Sequence, residues 1–178
     1  MVTIRNERAS DPAAREALLD RAYGASRFTR PSQKIRAGRA AAEGLSFVAS
    51  ERGRIVGTVR LWNISAGGRA ALLLGPLAVS PECRNRGIGA ALTRHAIETA
   101  RRLGHGAILL VGDAPYYGRF GFSAERTSQL RMPGPFDQKR LLALELRPGA
   151  LDAAQGMITG TGPRIVRPAP ASRRPRAA

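Results

Sequence analysis

The sequence predicts an α+β fold in which helices accompany a central mixed, mostly antiparallel sheet. Short apolar segments bounded by glycine or proline turns recur across residues 45–79, a pattern typical of neighbouring antiparallel strands. Apolar residues then recur at helical spacing over residues 88–103, and an apolar strand follows at 107–111. This order of strand, helix and strand favours one parallel pair within the sheet.

The N-terminal quarter of the chain predicts one strand and two helices. Residues 2–8 alternate apolar and polar side chains, as a half-exposed strand does. Asp11 and Pro12 are typical of the start of a helix, which Gly24 should end. We expect the second helix over residues 31–42.

Three strands are predicted to follow as an antiparallel meander, over residues 45–51, 55–63 and 70–79. Gly75 and Pro76 interrupt the third of them. Because proline lacks the N–H group and glycine permits a bulge, we expect a local irregularity in the ladder there.

After the parallel strand at 107–111, a turn leads to a short predicted helix that carries Tyr116 and Tyr117. Residues 122–124 and 141–146 predict a final pair of strands. The segment 160–178 is rich in proline and arginine and has no periodicity, so we expect a disordered tail behind a single domain of residues 1–159.

Composition limits the classes of function. The net charge is +16, and of the 29 basic residues two are lysine and 27 arginine. The arginines are scattered, so generic composition explains them better than nucleic-acid binding does, although the latter stays open. The single cysteine excludes an internal disulfide and fits a cytoplasmic protein, and no metal-ligand spacing or membrane-length apolar stretch occurs.

The segment from residue 72 to residue 92 contains a strand, a glycine-rich turn and the start of a helix. The first amides of a helix have no intrahelical partner and attract anions. Gly87 and Gly89 would let a phosphate approach the backbone, and Arg84 and Arg86 add positive charge. The pattern predicts a site for a phosphate-bearing cofactor, although a Gly-x-Gly can also be an ordinary tight turn.

Arg84-x-x-Gly87-x-Gly89, with the strand before it, resembles the acyl-CoA-binding motif of the GNAT superfamily of N-acetyltransferases. Residues 116–122, YYGRFGF, resemble the tyrosine that this superfamily places four residues before a Gly-Phe pair, and are most similar to a bacterial branch with such an element. The resemblance covers roughly residues 2–151. It implies helices on both faces of the sheet and a parallel strand pair that splays apart at the acyl-CoA site.

The resemblance also implies acetyl-CoA as the acyl donor, with no metal. Its pyrophosphate would lie on the helix amides and its pantetheine arm along the irregular strand. The residues implied in cofactor binding are Leu77, Ala78, Val79, Arg84, Asn85, Arg86, Gly87, Ile88, Gly89 and Ala90. A backbone N–H near Leu77 or Val79 would stabilise the tetrahedral oxyanion.

Tyr117 stands where the superfamily has its tyrosine, and the resemblance implies that it protonates the departing thiolate. The alternative is a core tyrosine that packs beneath the cofactor. In the resembling superfamily the first two helices border the acceptor cleft. The candidates there are Tyr23, Phe28, Arg36 and Glu43.

The general base is not identified by any motif. Glu43, Glu51 and Asp113 are candidates, while His95 and His105 are weaker ones.

The resemblance implies an N-acetyltransferase (EC 2.3.1.-) in which an acceptor amine attacks the thioester directly within a ternary complex. The alternative is a non-catalytic acyl-CoA-binding or regulatory protein whose basic tail contacts nucleic acid or an acidic partner. The acceptor, a small-molecule or protein amine, stays open, and so does a homodimer.

Overall fold

The structure is a computed structural model and describes residues 1–166 of the chain. This part of the chain forms eight strands and four helices. The strands are β1 (Thr3–Asn6), β2 (Ser46–Glu51), β3 (Arg54–Ala66), β4 (Arg69–Val79), β5 (Ala107–Val111), β6 (Leu130–Arg131), β7 (Leu141–Glu145) and β8 (Gly156–Gly160). The helices are α1 (Pro12–Tyr23), α2 (Pro31–Arg36), α3 (Ile88–Arg102) and α4 (Ala114–Gly118).

The sheet is open and mixed, in the order β1-β2-β3-β4-β5-β7. Strands β2, β3 and β4 form the predicted antiparallel meander, and β5 runs parallel to β4. Strand β8 adds an antiparallel partner to the far end of β3 and pairs with the short β6. The predicted α+β class with a mixed, mostly antiparallel sheet is confirmed.

The parallel pair is short. Strands β4 and β5 pair only through Leu72 with Ile108 and Leu73 with Leu109. Strand β4 continues to Val79, so its second half has no neighbour on the β5 side. The expected splayed strand pair is therefore present.

The irregularity expected at Gly75-Pro76 is also present. Val59 of β3 lies opposite Leu77, but Leu61 lies opposite Leu74, so β4 has one residue more than β3 in this interval. The indole Nε1 of Trp62 donates a hydrogen bond of 2.6 Å to the carbonyl oxygen of Gly75. This buried contact fixes the bulge where the two strands separate.

Helices cover both faces of the sheet, as expected. The apolar side of α3, with Leu92 and Ala96, packs on one face in a cluster that includes Val59 and Leu72. On the other face α1 packs Leu18 and Leu19 against Ala78, and α2 contributes Ile35 to a second cluster.

The second helix is shorter than predicted, because it ends at Arg36 rather than near residue 42. Gly38 adopts a φ of 69°, which lies outside the right-handed helical region. Beyond it, the Ala40 N–H donates to Pro163 and the Ala42 N–H donates to Leu61, so these residues use their backbone groups on other segments.

One strand prediction for the C-terminal region was wrong. Residues 122–124 form no strand, and only an isolated bridge joins Ser123 to Ala143. Gly160 ends strand β8, and residues 161–166 continue in contact with the domain through hydrogen bonds such as Ile165 N–H to Gly38 O, 2.9 Å. The remainder of the predicted tail, residues 167–178, lies outside the described residues.

Within residues 1–166, no helix is long and apolar enough to cross a membrane.

Candidate active site

The free half of β4 exposes peptide groups to the gap between β4 and β5. The Ser80 N–H donates to the Val56 carbonyl of β3 at 2.8 Å. Backbone groups alternate in direction along an antiparallel strand, so Ala78 faces β3 while Leu77 and Val79 face the gap. The Tyr23 hydroxyl, at the end of α1, donates to the Leu77 carbonyl from this open side.

A cavity of about 520 Å³ lies at the N-terminus of α3. The first intrahelical bond runs from the Ala91 N–H to the Gly87 carbonyl, 2.9 Å, so the amides before Ala91 have no partner within the helix. Gly87 holds a φ of 75°, and a Cβ on it would meet no atom within 4 Å. The predicted residues that line this cavity are Val79, Arg84, Asn85, Gly87, Ile88, Gly89 and Ala90.

Three of the predicted residues lie elsewhere. Leu77 lines a smaller neighbouring cavity. The Ala78 side chain is buried against Leu18 and Leu19, so neither its side chain nor its backbone faces the gap. The Arg86 guanidinium makes a bidentate pair with Glu51, at 2.7 and 3.0 Å, and its charge is not directed at the cavity.

The cations at the α3 cavity are therefore Arg84 and Arg119. Arg119 belongs to the YYGRFGF segment, and its guanidinium lies 4.4 Å from the centre of the Tyr116 ring. Sequence reasoning missed this residue. The signal available was its position two residues after Tyr117, within a motif already singled out.

The two adjacent tyrosines lie in different cavities. Tyr116 lines the α3 cavity, and its hydroxyl lies 3.3 Å from the position of a Cβ on Gly89. Tyr117 lines a separate cavity of about 80 Å³ beside Tyr23 and Leu77. Burial raises the pKa of Tyr117, so its phenol is neutral and can donate a hydrogen bond.

The ring of Tyr117 packs on Gly112 at the end of β5. A Cβ on Gly112 would lie 2.4 Å from Cε2 and 2.8 Å from Cδ2 of the tyrosine. A larger residue would displace the ring, so Gly112 sets the position of Tyr117. The sequence contained no signal for this contact beyond the presence of a glycine in the turn.

The cavity beside Tyr117 also contains residues of α1, α2 and the turn between them. Tyr23, Arg27, Arg30 and Arg36 line it, and none of the side chains from residues 1–166 that line it is a carboxylate. Of the acceptor-side candidates, Tyr23 and Arg36 are thus in the cavity, whereas Phe28 and Glu43 are not.

The candidates for the general base lie away from this cavity. Glu51 is paired with Arg86, and the Asp113 carboxylate accepts the Tyr116 N–H at 3.1 Å and so caps α4. The His95 ring packs edge-on against Phe47, and His105 follows the far end of α3. Among the described residues, none of these groups lines this cavity.

The fold is that of solved acetyltransferases. The structure of the GNAT family N-acetyltransferase YhbS from Escherichia coli in complex with CoA matches with a TM-score of 0.76 and 24% identity, over 90% of this chain and 89% of that one. A GNAT family acetyltransferase from Brucella melitensis in complex with acetyl-CoA matches with a TM-score of 0.69 and 28% identity, over 90% of this chain and 96% of that one.

The sequence comparison agrees with this class. The chain belongs to the acetyltransferase (GNAT) family, whose sequence model matches residues 13–122. The uncharacterized N-acetyltransferase YjhQ of Escherichia coli strain K12 is 31% identical over 117 residues, which are 64% of this chain and 65% of that protein. The uncharacterized N-acetyltransferase YhbS of the same strain is 26% identical over 117 residues, 64% of this chain and 70% of that protein.

Proposed function

We propose that the protein transfers an acetyl group from acetyl-CoA to a primary amine by direct attack within a ternary complex. The observation that carries the proposal is the free half of β4, whose outward peptide groups lie between the unpaired amides of α3 and the Tyr117 ring. Acetyl-CoA is bound by the Brucella melitensis relative, which shares this fold at 28% identity.

In this proposal the amides of residues 87–90 and the guanidinium of Arg84 hold the pyrophosphate. The pantetheine arm pairs with the outward peptide groups of Leu77 and Val79, as an added strand would. Ala78 and the Arg86 side chain are left out of the binding set because of their directions.

The amine attacks the thioester carbonyl carbon, and a tetrahedral intermediate forms with its negative charge on the carbonyl oxygen. An outward N–H of Leu77 or Val79 stabilises that oxyanion, a contribution on the order of 10²–10³ in rate for one fixed donor. The carbon–sulfur bond then breaks, and the Tyr117 phenol donates a proton or hydrogen bond to the CoA thiolate. The proton lost by the amine passes to water, because no carboxylate of the described residues lines this cavity.

Calorimetric titration with acetyl-CoA tests the donor site, on the parent chain and on Gly87→Glu and Gly87→Gln. Both variants carry the same strain at the positive φ of residue 87 and nearly the same bulk, so they differ in one negative charge. We expect the parent to bind and Gly87→Glu to bind at least tenfold more weakly than Gly87→Gln. A parent chain that does not bind acetyl-CoA, or two variants of equal affinity, would refute the assignment.

A further inference from the structure

The acceptor side of the gap has an unbalanced charge. Three arginines line the cavity beside Tyr117, and no acidic side chain from the described part of the chain does. Arg27 is compensated, because it pairs with Glu16 at 2.6 Å and Asp20 at 2.9 Å. Arg30 lies over the Tyr23 ring at 4.7 Å, and Arg36 lies deeper in the cavity wall. Within residues 1–166 neither Arg30 nor Arg36 forms an ion pair, so the cavity retains a net positive charge.

Arg36 is the most informative of the three. Its side chain is on a short helix, and the residue is only 9% exposed. Nε donates to the Gln33 side chain at 3.0 Å, whereas neither Nη atom has a hydrogen-bond acceptor among the described residues. Nη1 lies over Gly75, 3.8 Å from the position of a Cβ on that residue. The free end of the guanidinium is therefore at the point where β4 bulges.

A buried cation without a counter-ion is unfavourable. Burial lowers the pKa of Arg36 to about 10, and the positive charge of Arg30 adds to the effect. A structural arginine would use its Nη atoms to join neighbouring elements, but the described hydrogen bond stays within α2. The Arg36 guanidinium is therefore buried, and its two parallel N–H donors are unused. Both properties are typical of an arginine that binds a ligand.

We propose that the acetyl acceptor is a small amine that carries a carboxylate or phosphate group, and that this anionic group pairs with the Nη atoms of Arg36. Carboxylate and phosphate oxygens are the partners that match the guanidinium fork. The inference rests on the proposed function, since it uses Leu77 and Val79 as the place of amine attack.

The distance between the two groups limits the size of the acceptor. Arg36 lies over Gly75, and the first outward N–H of the gap belongs to Leu77, two residues further along β4. Two residues of strand span at most roughly 7 Å, and the bulge at Gly75 can only shorten that distance. The anionic group should therefore lie within roughly 7 Å of the reacting nitrogen, a separation that short amino acids and aminoalkyl phosphates can meet.

The test uses pairs of acceptors with the same amine and different charge. The pairs are β-alanine with β-alaninamide, 4-aminobutanoate with 4-aminobutanamide, and O-phosphoethanolamine with ethanolamine. Release of CoA is followed with parent, Arg36→Gln, Arg36→Lys and Arg102→Gln. Arg102 is an exposed arginine at the far end of α3 and controls for the loss of one positive charge.

We expect kcat/KM to favour the anionic member of at least one pair by tenfold or more in the parent and in Arg102→Gln. Arg36→Gln should bring that ratio close to one, and Arg36→Lys should restore part of it. Comparison of the carboxylate pairs with the phosphate pair shows which of the two anionic groups the acceptor carries. Equal rates within every pair, or a preference that survives in Arg36→Gln, would overturn the proposal.

A second measurement covers the case in which none of these amines is acetylated. Titration of the CoA-saturated protein with inorganic phosphate and with acetate reports anion binding while the α3 site is occupied. Binding that is lost in Arg36→Gln and kept in Arg102→Gln supports the proposal, and absence of such binding together with absence of turnover overturns it. Failure of the proposed donor site is distinguishable, because it appears as failure to bind CoA.

Discussion

The contact between Gly112 and Tyr117 allows two effects to be measured separately. Gly112→Ala moves the phenol of Tyr117, whereas Tyr117→Phe removes its hydroxyl group. In Gly112→Ala the new Cβ would lie 2.4 Å from Cε2 of Tyr117. Non-bonded carbon atoms require about 3.5 Å, so the ring has to move by about 1 Å. Gly112 is not among the residues with a positive φ, so alanine introduces no backbone strain there.

The size of the effect follows from the role proposed for Tyr117. A displacement of about 1 Å in a positioned catalytic group lowers the rate on the order of 10²-fold. We therefore expect kcat for acetyl transfer to fall by about 10–100-fold in Gly112→Ala. The affinity for acetyl-CoA should stay within about twofold, because the unpaired amides of α3 are not moved. Overpacking should lower the free energy of unfolding by about 1–3 kcal/mol.

The assay combines turnover, calorimetric binding of acetyl-CoA and thermal unfolding. Gly118→Ala is the matched control, because a Cβ on Gly118, at the end of the same short helix as Tyr117, would meet no atom within 4 Å. Tyr117→Phe and the double variant complete a cycle. If Gly112 acts only through the hydroxyl of Tyr117, Gly112→Ala should slow the Tyr117→Phe enzyme no further. Equal slowing in both backgrounds, or an unchanged kcat in Gly112→Ala, would refute the reasoning.

Two further predictions concern stability. A Cβ on Gly160 would lie 2.3 Å from the Ile35 carbonyl oxygen, so Gly160→Ala should destabilise the fold by about 1–3 kcal/mol. This loss corresponds to a melting temperature lower by about 2–10 °C, whereas Gly118→Ala should leave the melting temperature unchanged. An unchanged melting temperature in Gly160→Ala would show that this segment does not pack on α2. Hydrogen bonds from Arg5 and from the Arg8 amide lower the pKa of Asp11 from 3.8 to about 2. The ionised Asp11 carboxylate therefore makes its full contribution to stability above pH 4, and this contribution is lost as the pH falls through 2. In urea titrations the parent should therefore exceed Asp11→Asn in stability at pH 7 and lose that advantage towards pH 2, and a pH-independent difference would contradict the role of the ion pair.

The elements that position the donor site were predictable because their signals are local. A proline and a glycine within an apolar strand indicate an interruption of the ladder, and β4 has its bulge there. Two glycines at the start of an amphipathic segment indicate where α3 begins, and Gly87 is its N-cap residue in the left-handed region. Each of these inferences uses residues that are neighbours in the chain.

The second helix was predicted too long because its last residues have partners distant in sequence. Residues 39–42 carry enough alanine to favour a helix, but their backbone groups pair with residues near Pro163 and Leu61. Strand β8 is only five residues long, with a glycine at each end, and forms where the far end of β3 offers a free edge. Similarly, nothing near Arg86 indicates that Glu51, on the strand β2, takes up its charge.

This difference explains why the donor could be predicted from the sequence and the acceptor could not. The proposed acetyl-CoA site consists mainly of backbone groups, and backbone geometry requires particular residue types such as Gly87 at fixed positions. The proposed acceptor cavity is lined mainly by side chains, and Arg36 is one arginine among 27 in the sequence. The combination of burial and two unused Nη atoms distinguishes it from the other arginines within residues 1–166, and both properties exist only after folding. We therefore expect such desolvated side chains to determine which acceptor binds, while the donor site stays the same. For this reason the Arg36 variants test the class of acceptor more directly than any change in the α3 motif.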